Sequence, residues 1–551
     1  MTEYTNITPA EQPQLPVPLS EDSGIVRAAA VLAIGNITSR VLGLAREIVK
    51  SNLYGASGLL GAYTVAVLVP MTLFNLITGG EMVSSSLVPV FSDYAAKEKR
   101  PELWRVVSMV LSLATTLLII IVILVIWFAP QVAWLAGARN FEDQTLAPIT
   151  VKLMRLATPA VIFLSISSVL TGVLLALKRF TLPAFTGAVF NGTIVVVALL
   201  RPDEISSLVW GLLLGSLFQI LLQLPGLRDG RFHLTFYWRH PAVRKIVILY
   251  TPIVIALVVN QIAIWISYNL AITTGDNSVT YMTYATTLYQ FPLGLVVTAV
   301  SVATLPTLSR MASAYREAIA TQADDAKQKS NEYKETLAGG LRLVISLILP
   351  AAAGLFALAV PIIALLLEHG EFTSGDTDIT AKVLRVYILG LVFAAVDQML
   401  VIASYARKDT WRPALVGVFS IGIYTITAFA LIKPLGLLSL MVADAVKHAV
   451  HTVAMIWILR RQVGNLSGYQ IRAALLKSLL AAISVGIVAY LSATFLSGML
   501  EHDNFLSRLV IVAAAGLAGL GTFVAAVLLL DIMDAKSLRQ LLPKRTPKLE
   551  S

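Results

Sequence analysis

The chain has 551 residues, no cysteine, 57 % hydrophobic residues and only 13 % charged ones, about half the charged share of a soluble domain. Its mean hydropathy is +0.78. Water-soluble cores cannot hide that much apolar surface. This excludes a soluble enzyme with one anchor, a nucleic-acid-binding protein and a disulfide-built secreted domain. The net charge of +10 comes from 42 Lys+Arg against 32 Asp+Glu, and the basic residues sit in short loops between apolar runs, not in a patch with aromatics. An all-α polytopic membrane protein remains, with no nucleic acid among its partners.

Residues 1–23 are polar and proline-bearing and read as a disordered cytoplasmic tail. No basic n-region and cleavage site precede the first apolar run, so no signal peptide is expected. A helix needs about 20 apolar residues to cross a bilayer. About fourteen runs qualify, near 25–51, 59–91, 103–129, 150–177, 182–200, 206–225, 246–272, 279–309, 339–367, 379–404, 413–432, 436–459, 474–497 and 507–531. The second and eighth are long and are expected to be interrupted at Pro70 and Pro292, where proline frees a carbonyl that neighbours or cavity water must satisfy. Loops after the even-numbered spans carry Lys and Arg, while the opposite loops are nearly free of them and several are acidic, such as Asp203-Glu204 and Glu501 to Asp503. That alternation places both termini in the cytoplasm, with a basic tail at 534–551.

Lys152, Arg155, Ala176, Lys178, Pro183 and Ala184 reappear about 230 residues later as Lys382, Arg385, Ala406, Lys408, Pro413 and Ala414. Spans 4–5 thus match spans 10–11. The chain is read as two pseudo-symmetric six-helix lobes, 24–228 (spans 1–6) and 229–461 (spans 7–12, with a cytoplasmic loop at 310–338). Two C-terminal helices follow in 462–533. Long interrupted helices at corresponding places in the halves point to a transport site between them.

Charged groups inside a span cost roughly 2.5–3.5 kcal/mol each. Span 1 holds Arg40, Arg46 and Glu47, with Ser39 beside them and Gly43 between. Arg40 and Glu47 lie nearly on one face, about 10 Å apart along the axis. An arginine in a water-filled cavity offers a fork of donors for phosphate. The competing reading is an internal ion pair that locks helix packing, or snorkelling at the span's end. Span 2 carries Asn75, Gly79-Gly80-Glu81 and Ser84-Ser85-Ser86, too polar for a lipid-facing helix. Span 8 offers Thr286, Thr287, Tyr289 and Gln290 just before Pro292. Gly43, Pro70, Glu81 and Pro292 are the candidate gating or hinge positions. Span 10 carries Asp397, and span 12 carries Asp444, Lys447, His448 and His451. Asp444 can pair locally with Lys447 or His448. Alternatively, Asp397, Asp444 and His448 couple transport to an ion. No metal-ligand spacing, nucleotide-binding loop or nucleophile constellation is found, so no metal, cofactor or ATP drive is expected.

Several stretches resemble the MurJ/MviN lipid II flippases of the multidrug/oligosaccharidyl-lipid/polysaccharide exporter superfamily. They are Ser39-Arg40-Val41-Leu42-Gly43-Leu44-Ala45-Arg46-Glu47, Arg179-Phe180-Thr181-Leu182-Pro183-Ala184-Phe185 followed by Asn191, Gln223-Leu224-Pro225, Gln290-Phe291-Pro292-Leu293-Gly294 and Gly370-Glu371-Phe372-Thr373. The resemblance covers about residues 24–461. It implies a transporter, not an enzyme, in the bacterial inner membrane. It implies two lobes that carry undecaprenyl-pyrophosphate-linked peptidoglycan precursor to the outer leaflet by alternating access, for cell-wall synthesis. Arg40 and Arg46 inherit contact with the pyrophosphate, and Glu47 the role of the neighbouring acid. With Ser39, Asn75, Thr287 and Gln290 they form the expected substrate-binding set. Lipid II and anionic membrane lipids are the expected partners, with cell-wall synthesis enzymes a further candidate and a monomer the expected state.

The family's cavity arginine in span 2 falls at about Phe74 or Asn75 here, that of span 8 at Thr287, the acid after it at Gln290, and the acid opening span 2 at Gly61. The acids of the family's sodium site have no evident counterpart. The cavity is therefore expected to be less cationic. Another lipid-linked glycan, or a drug or cation in antiport, stands as the alternative cargo on the same fold.

Overall fold

The computed structural model describes residues 20–322, 324–500 and 504–532. Most of the expected N-terminal tail, the basic C-terminal tail and the acidic stretch Glu501 to Asp503 lie outside the described residues. All regular structure among the described residues is helical. In lipid every backbone N–H and C=O must be satisfied within its own segment, and helices do this.

The principal helices are α1 (Ser20–Tyr54), α2 (Gly58–Ile77), α3 (Arg100–Trp127), α4 (Ala129–Leu135), α5 (Leu146–Ala157), α6 (Ala160–Ala176), α7 (Thr186–Leu200), α8 (Ser206–Gln223), α9 (Pro241–Ile272), α10 (Ser278–Ala320), α11 (Ala326–Ala357), α12 (Ala359–Leu367), α13 (Ser374–Ala406), α14 (Trp411–Leu435), α15 (Leu438–Val463), α16 (Ile471–Met499) and α17 (Phe505–Leu530). Among the described residues, eleven helical segments are long and apolar enough to cross a membrane. Three of the fourteen expected runs fall outside that set, although each is helical. They are α1, which carries Arg40, Arg46, Glu47 and Lys50, the 15-residue α7, and the 43-residue α10.

Local chemistry sets the ends. Ser57 caps α2 by accepting from the Leu60 N–H at 3.3 Å, and Thr373 and Asp376 form a reciprocal capping box on α13. Hydroxyls inside the spans, such as Thr64, Thr286 and Thr287, donate back to carbonyls four residues earlier. This keeps them satisfied without water. The second span differs from the sequence expectation. α2 runs through Pro70 without a break, and the chain turns instead at Thr78-Gly79 before a π-helical stretch, Val83–Leu87. Proline at 70 removes one hydrogen bond, whereas Thr78 leaves helical geometry altogether (φ −143°, ψ 12°). Pro292 likewise sits within the unbroken α10.

The internal repeat recurs in three dimensions. α3 gives way to α4 between Trp127 and Ala129, and α11 to α12 between Ala357 and Ala359, about 230 residues on. Arg155 Nε donates to the Ile126 carbonyl at 3.3 Å, and Arg385 Nε to the Phe356 carbonyl at 3.2 Å. α6 and α13 both end at a lysine in the left-handed region, Lys178 (φ 59°) and Lys408 (φ 62°). In the first half α1 packs on α7, α7 on α8, and α2 on α5. In the second, α10 packs on α11 and α13, and α15 on α13 and α14. α16 lies on α11, and α17 on α16 and α12. Outward apolar side chains such as Trp127, Leu200, Leu517 and Leu529 remain more than two-thirds exposed, the surface expected where lipid tails are the solvent.

The two halves meet tightly at one end. The Glu371 N–H donates to the Asn52 carbonyl at 3.0 Å, Thr280 Oγ1 to the Ser57 carbonyl at 3.1 Å, and Tyr284 to the Gly55 carbonyl at 3.4 Å. Asp276 accepts from the N–H groups of Glu142 and Asp143. Gly55 (φ 58°) and Gly370 (φ 59°) make this approach feasible. A Cβ on Gly370 would lie 2.2 Å from the Asn52 carbonyl oxygen, and one on Gly55 2.5 Å from that of Glu371.

Candidate functional site

The first half's charged groups come from α1, and close packing on α7 sets their positions. Gly35 and Gly187 admit the neighbouring helix at distances no Cβ would allow, with Ser39 Oγ lying 2.3 Å from where a Cβ on Gly187 would sit. Asn191 on α7 faces Gly43 and donates to the Ser39 carbonyl at 3.2 Å. It also accepts from Arg46 Nη1 at 3.0 Å. Arg46 further donates through Nε (3.0 Å) and Nη2 (2.8 Å) to Glu47 Oε1. Glu47 Oε2 accepts from Lys50 Nζ at 2.8 Å. Glu47 and Lys50 are buried, while the Arg46 side chain keeps 30 % of its surface. Two cations on one carboxylate leave the triad with one surplus positive charge. The ion-pair reading of Arg46 and Glu47 is therefore present in the geometry, and Arg46 keeps an accessible edge.

Arg40 is different. It is exposed, and among the described residues it has no hydrogen-bond or ion-pair partner. Its guanidinium lies against α10 in the other half, 3.4 Å (Nη1) and 3.5 Å (Nη2) from the Cβ position of Gly294. Thr287 and Gln290 lie two turns and one turn before Gly294, on the same face of α10. Both are exposed, so Arg40, Thr287 and Gln290 share one interlobe surface. A free guanidinium at the level of the bilayer requires water around it, and such a group is ready for an anion.

The other expected positions are spread more widely. Asn75 is exposed near the end of α2, and its carbonyl accepts from Tyr250 on α9 at 3.2 Å. Glu81 is exposed after the turn and has no ion pair among the described residues. It lies within electrostatic reach of Tyr250 and of Tyr405 on α13, so it too borders both halves. α9 opens the second half yet is clasped to the first. Gln261 accepts from Thr72 at 3.1 Å, and the Trp265 indole donates to Thr72 at 3.1 Å. A side cavity of about 600 Å³ between α2 and α9 is lined by Thr72, Leu76, Gln261, Trp265 and Arg139. Arg40 and Arg46 do not line it.

Asp397 on α13 pairs with His451 Nδ1 on α15, and its second oxygen lies 3.7 Å from His448 Nδ1. Asp444 holds Lys447 and stands 3.8 Å from His448 Nε2. The sequence named all five residues, but the pairing of Asp397 with span 12 depends on helix packing. Lys50, Gly294 and Asn191 are the site residues that sequence reasoning missed as such. Lys50 carried a usable signal, since it stands three residues after Glu47, the spacing of a helical ion pair.

Comparison with known proteins agrees with this architecture. The family described as "Lipid II flippase MurJ" matches residues 50–509. A lipid II flippase MurJ of Burkholderia cenocepacia is 27 % identical over 446 residues, 79 % of this chain and 84 % of that protein. A probable lipid II flippase MurJ of Vibrio cholerae is 28 % identical over 416 residues, 72 % and 75 % of the two chains. Among solved structures, "Lipid II flippase MurJ, inward closed conformation" superposes with a TM-score of 0.72 at 23 % identity, covering 91 % of this chain and 100 % of that one. An inward-facing MATE family multidrug resistance transporter gives 0.60 at 14 % identity, covering 80 % and 99 %. The fold is the one shared by these transporters, and the multi-pass membrane character follows from it. With the family's profile matching most of its length, the chain belongs to the MurJ lipid II flippase family.

Proposed function

We propose that the protein carries lipid II, the undecaprenyl-pyrophosphate-linked peptidoglycan precursor, from the inner to the outer leaflet of the bacterial cytoplasmic membrane by alternating access. The observation that carries this reading is Arg40, an unpaired guanidinium on α1 that rests against Gly294 of the opposite half. There it can bind the pyrophosphate through paired donors. Arg46 adds its accessible edge, while Glu47 and Lys50 fix its direction. Ser39 supports the Asn191 bridge, and Asn75, Thr287 and Gln290 supply neutral polar surface for the glycan. With both termini in the cytoplasm, the sealed end around Asn52, Gly55 and Gly370 faces outward. On this reading the substrate would enter between the halves from the inner leaflet. Release requires that seal to part, with the turn at Thr78-Gly79, Gly43, Glu81 and the two prolines, Pro70 and Pro292, as its hinge and gate elements. A monomer holds the complete site. Anionic lipids would meet the basic loops, and cell-wall synthesis enzymes would receive the product.

The neutral side chains at Asn75, Thr287 and Gln290 favour one second reading, a lipid-linked glycan other than lipid II. Complementation separates the two. The protein is expressed in a bacterium depleted of its own lipid II flippase, beside Arg40→Ala, with membrane levels compared. Rescue by the wild type and loss of rescue by well-inserted Arg40→Ala are expected. Failure of the well-inserted wild type moves the reading to the other glycan.

A further inference from the structure

Inside the second half, α13 and α15 enclose an ion network that shares no hydrogen bond or ion pair with Arg40 or the Glu47 triad. Asp444, Lys447, His448 and His451 recur at helical spacing on α15, and Asp397 meets them from α13. His451 Nδ1 is held by Asp397 Oδ1. His448 stands between the two acids, 3.7 Å from Asp397 Oδ2 through Nδ1 and 3.8 Å from Asp444 Oδ2 through Nε2. Both are longer than hydrogen bonds, and His448 Nδ1 is buried with no hydrogen-bond partner. The Asp397 and His451 side chains keep 11 % of their surface, Asp444 18 % and His448 24 %.

The charge count is decisive. Two carboxylates face one ammonium, so with both imidazoles neutral the network carries one uncompensated negative charge. A single proton on His448 or His451 makes it neutral, and a buried uncompensated charge is costly. Histidine is the side chain that ordinarily exchanges protons near neutral pH. Lys447 already occupies Asp444 Oδ1 and His451 occupies Asp397 Oδ1. Among the described residues these groups do not converge on one point as metal ligands would. Phenols surround the network: Tyr387 and Tyr405 on α13 itself, Tyr289 from α10 and Tyr424 from α14.

We infer that this network is a proton-binding site that couples translocation to a proton gradient, with His448 exchanging its partner between Asp397 and Asp444. The inference rests on the flippase reading above. The step is a proton transfer in which an O–H bond of hydronium breaks as an imidazole N–H bond forms, and the reverse on release. The proton enters on an imidazole nitrogen and leaves to water when the site opens. Its state reaches the packing directly. Gly390 on α13 sits against Ala445, next to Asp444, where a Cβ would lie 2.8 Å from the Ala445 Cα. Lys447 stands 5.8 Å from the centroid of the Tyr424 ring, whose hydroxyl shares a 2.7 Å hydrogen bond with Ser267 on α9. Protonation can thereby loosen or tighten α13 on α15 and pull on α9, the helix clasped to the other half.

Two measurements test this. Purified full-length protein in nanodiscs is titrated from pH 8 to pH 5 in weak buffer. The wild type should take up about one proton more per molecule than a folded His448→Gln/His451→Gln variant. Equal uptake overturns the inference. In proteoliposomes holding lipid II, with the membrane potential clamped, an imposed pH gradient should raise the wild-type flipping rate at least threefold. In the double variant and in Asp397→Asn the ratio of rates with and without the gradient should fall to about one. Flipping by the wild type with no response to the gradient overturns the coupling and leaves the flippase reading intact. No flipping by the wild type overturns the flippase reading, and the proton titration then decides the site.

Discussion

Glu47 accepts from Arg46 through one oxygen and from Lys50 through the other, so neither cation can be removed without leaving a buried group short of a partner. Lys50→Met should therefore destabilise the protein by about 3–5 kcal/mol, the usual cost of breaking a buried pair. A lowered thermal midpoint in detergent would show it. Glu47→Gln combined with Lys50→Met should recover part of that loss, because the two changes remove opposite charges together. Arg40 belongs to another class of residue. It stabilises nothing that the geometry shows, and Arg40→Gln should leave the stability within about 0.5 kcal/mol of wild type, with a nearly unchanged thermal midpoint, while abolishing rescue of growth. Equal rescue by the variant would remove Arg40 from the substrate site. The contrast between these residues was partly legible in the sequence. Arg40, Arg46 and Glu47 are charged groups in an apolar run and so demanded an explanation. Which of them is paired depended on Lys50, Asn191 and the seat at Gly294, and two of those lie on other helices.

At the scale of elements, the seal between the halves closes on backbone carbonyls at Gly55 and Gly370, and at those two glycines there is no room for a side chain. Gly370→Ala would place a methyl group against the Asn52 carbonyl and force an unfavourable positive φ. The chain has no cysteine, so Thr280→Cys gives a single reporter in the seal. That thiol should react slowly with a membrane-impermeant maleimide and several-fold faster when Gly370→Ala is added. Equal rates would mean that the seal does not limit access. The junction after α6 is held differently. Asp229 accepts from Arg179 at 2.7 Å and from Arg100 at 3.0 Å. Partial burial works against its charged form, but the Arg179 hydrogen bond, its own backbone N–H and the two guanidinium charges outweigh this. They hold the carboxyl below its ordinary value of 3.8. A lowered folded-state value means the stabilisation is complete above the ordinary range and fades as pH falls through the lowered one. Asp229→Asn should cost at most about 1 kcal/mol at pH 7, and the difference from wild type should shrink on acidification below that range. The sequence located the long polar second span correctly but put its interruption at Pro70. Proline is a strong local signal, yet a helix can continue through it when neighbours support the freed carbonyl. The Thr78-Gly79 turn is fixed by packing, including the Ser168 hydroxyl that donates to the Thr78 carbonyl.

For the whole molecule, composition alone dictated an all-helical membrane fold, and the repeat of about 230 residues was readable because loop charges and prolines recur with it. Its three-dimensional counterparts, the Arg155 and Arg385 bonds and the lysines 178 and 408 in the left-handed region, follow the same offset. The clasp of α9 onto the first half was not readable, since Thr72, Gln261 and Trp265 are ordinary residues until packing joins them. In the proposed function, two repeated halves, sealed at one end and presenting an unpaired arginine between them, would move an anionic headgroup past the bilayer. The most direct measurement is reconstitution. The purified protein is placed in proteoliposomes with fluorescent lipid II in both leaflets, and the fraction reachable by an impermeant quencher is followed over time. Wild-type vesicles should expose the inner-leaflet pool within the assay, whereas Arg40→Ala vesicles should match protein-free ones. Wild-type vesicles that behave like protein-free ones, or Arg40→Ala vesicles that behave like wild type, would contradict the account.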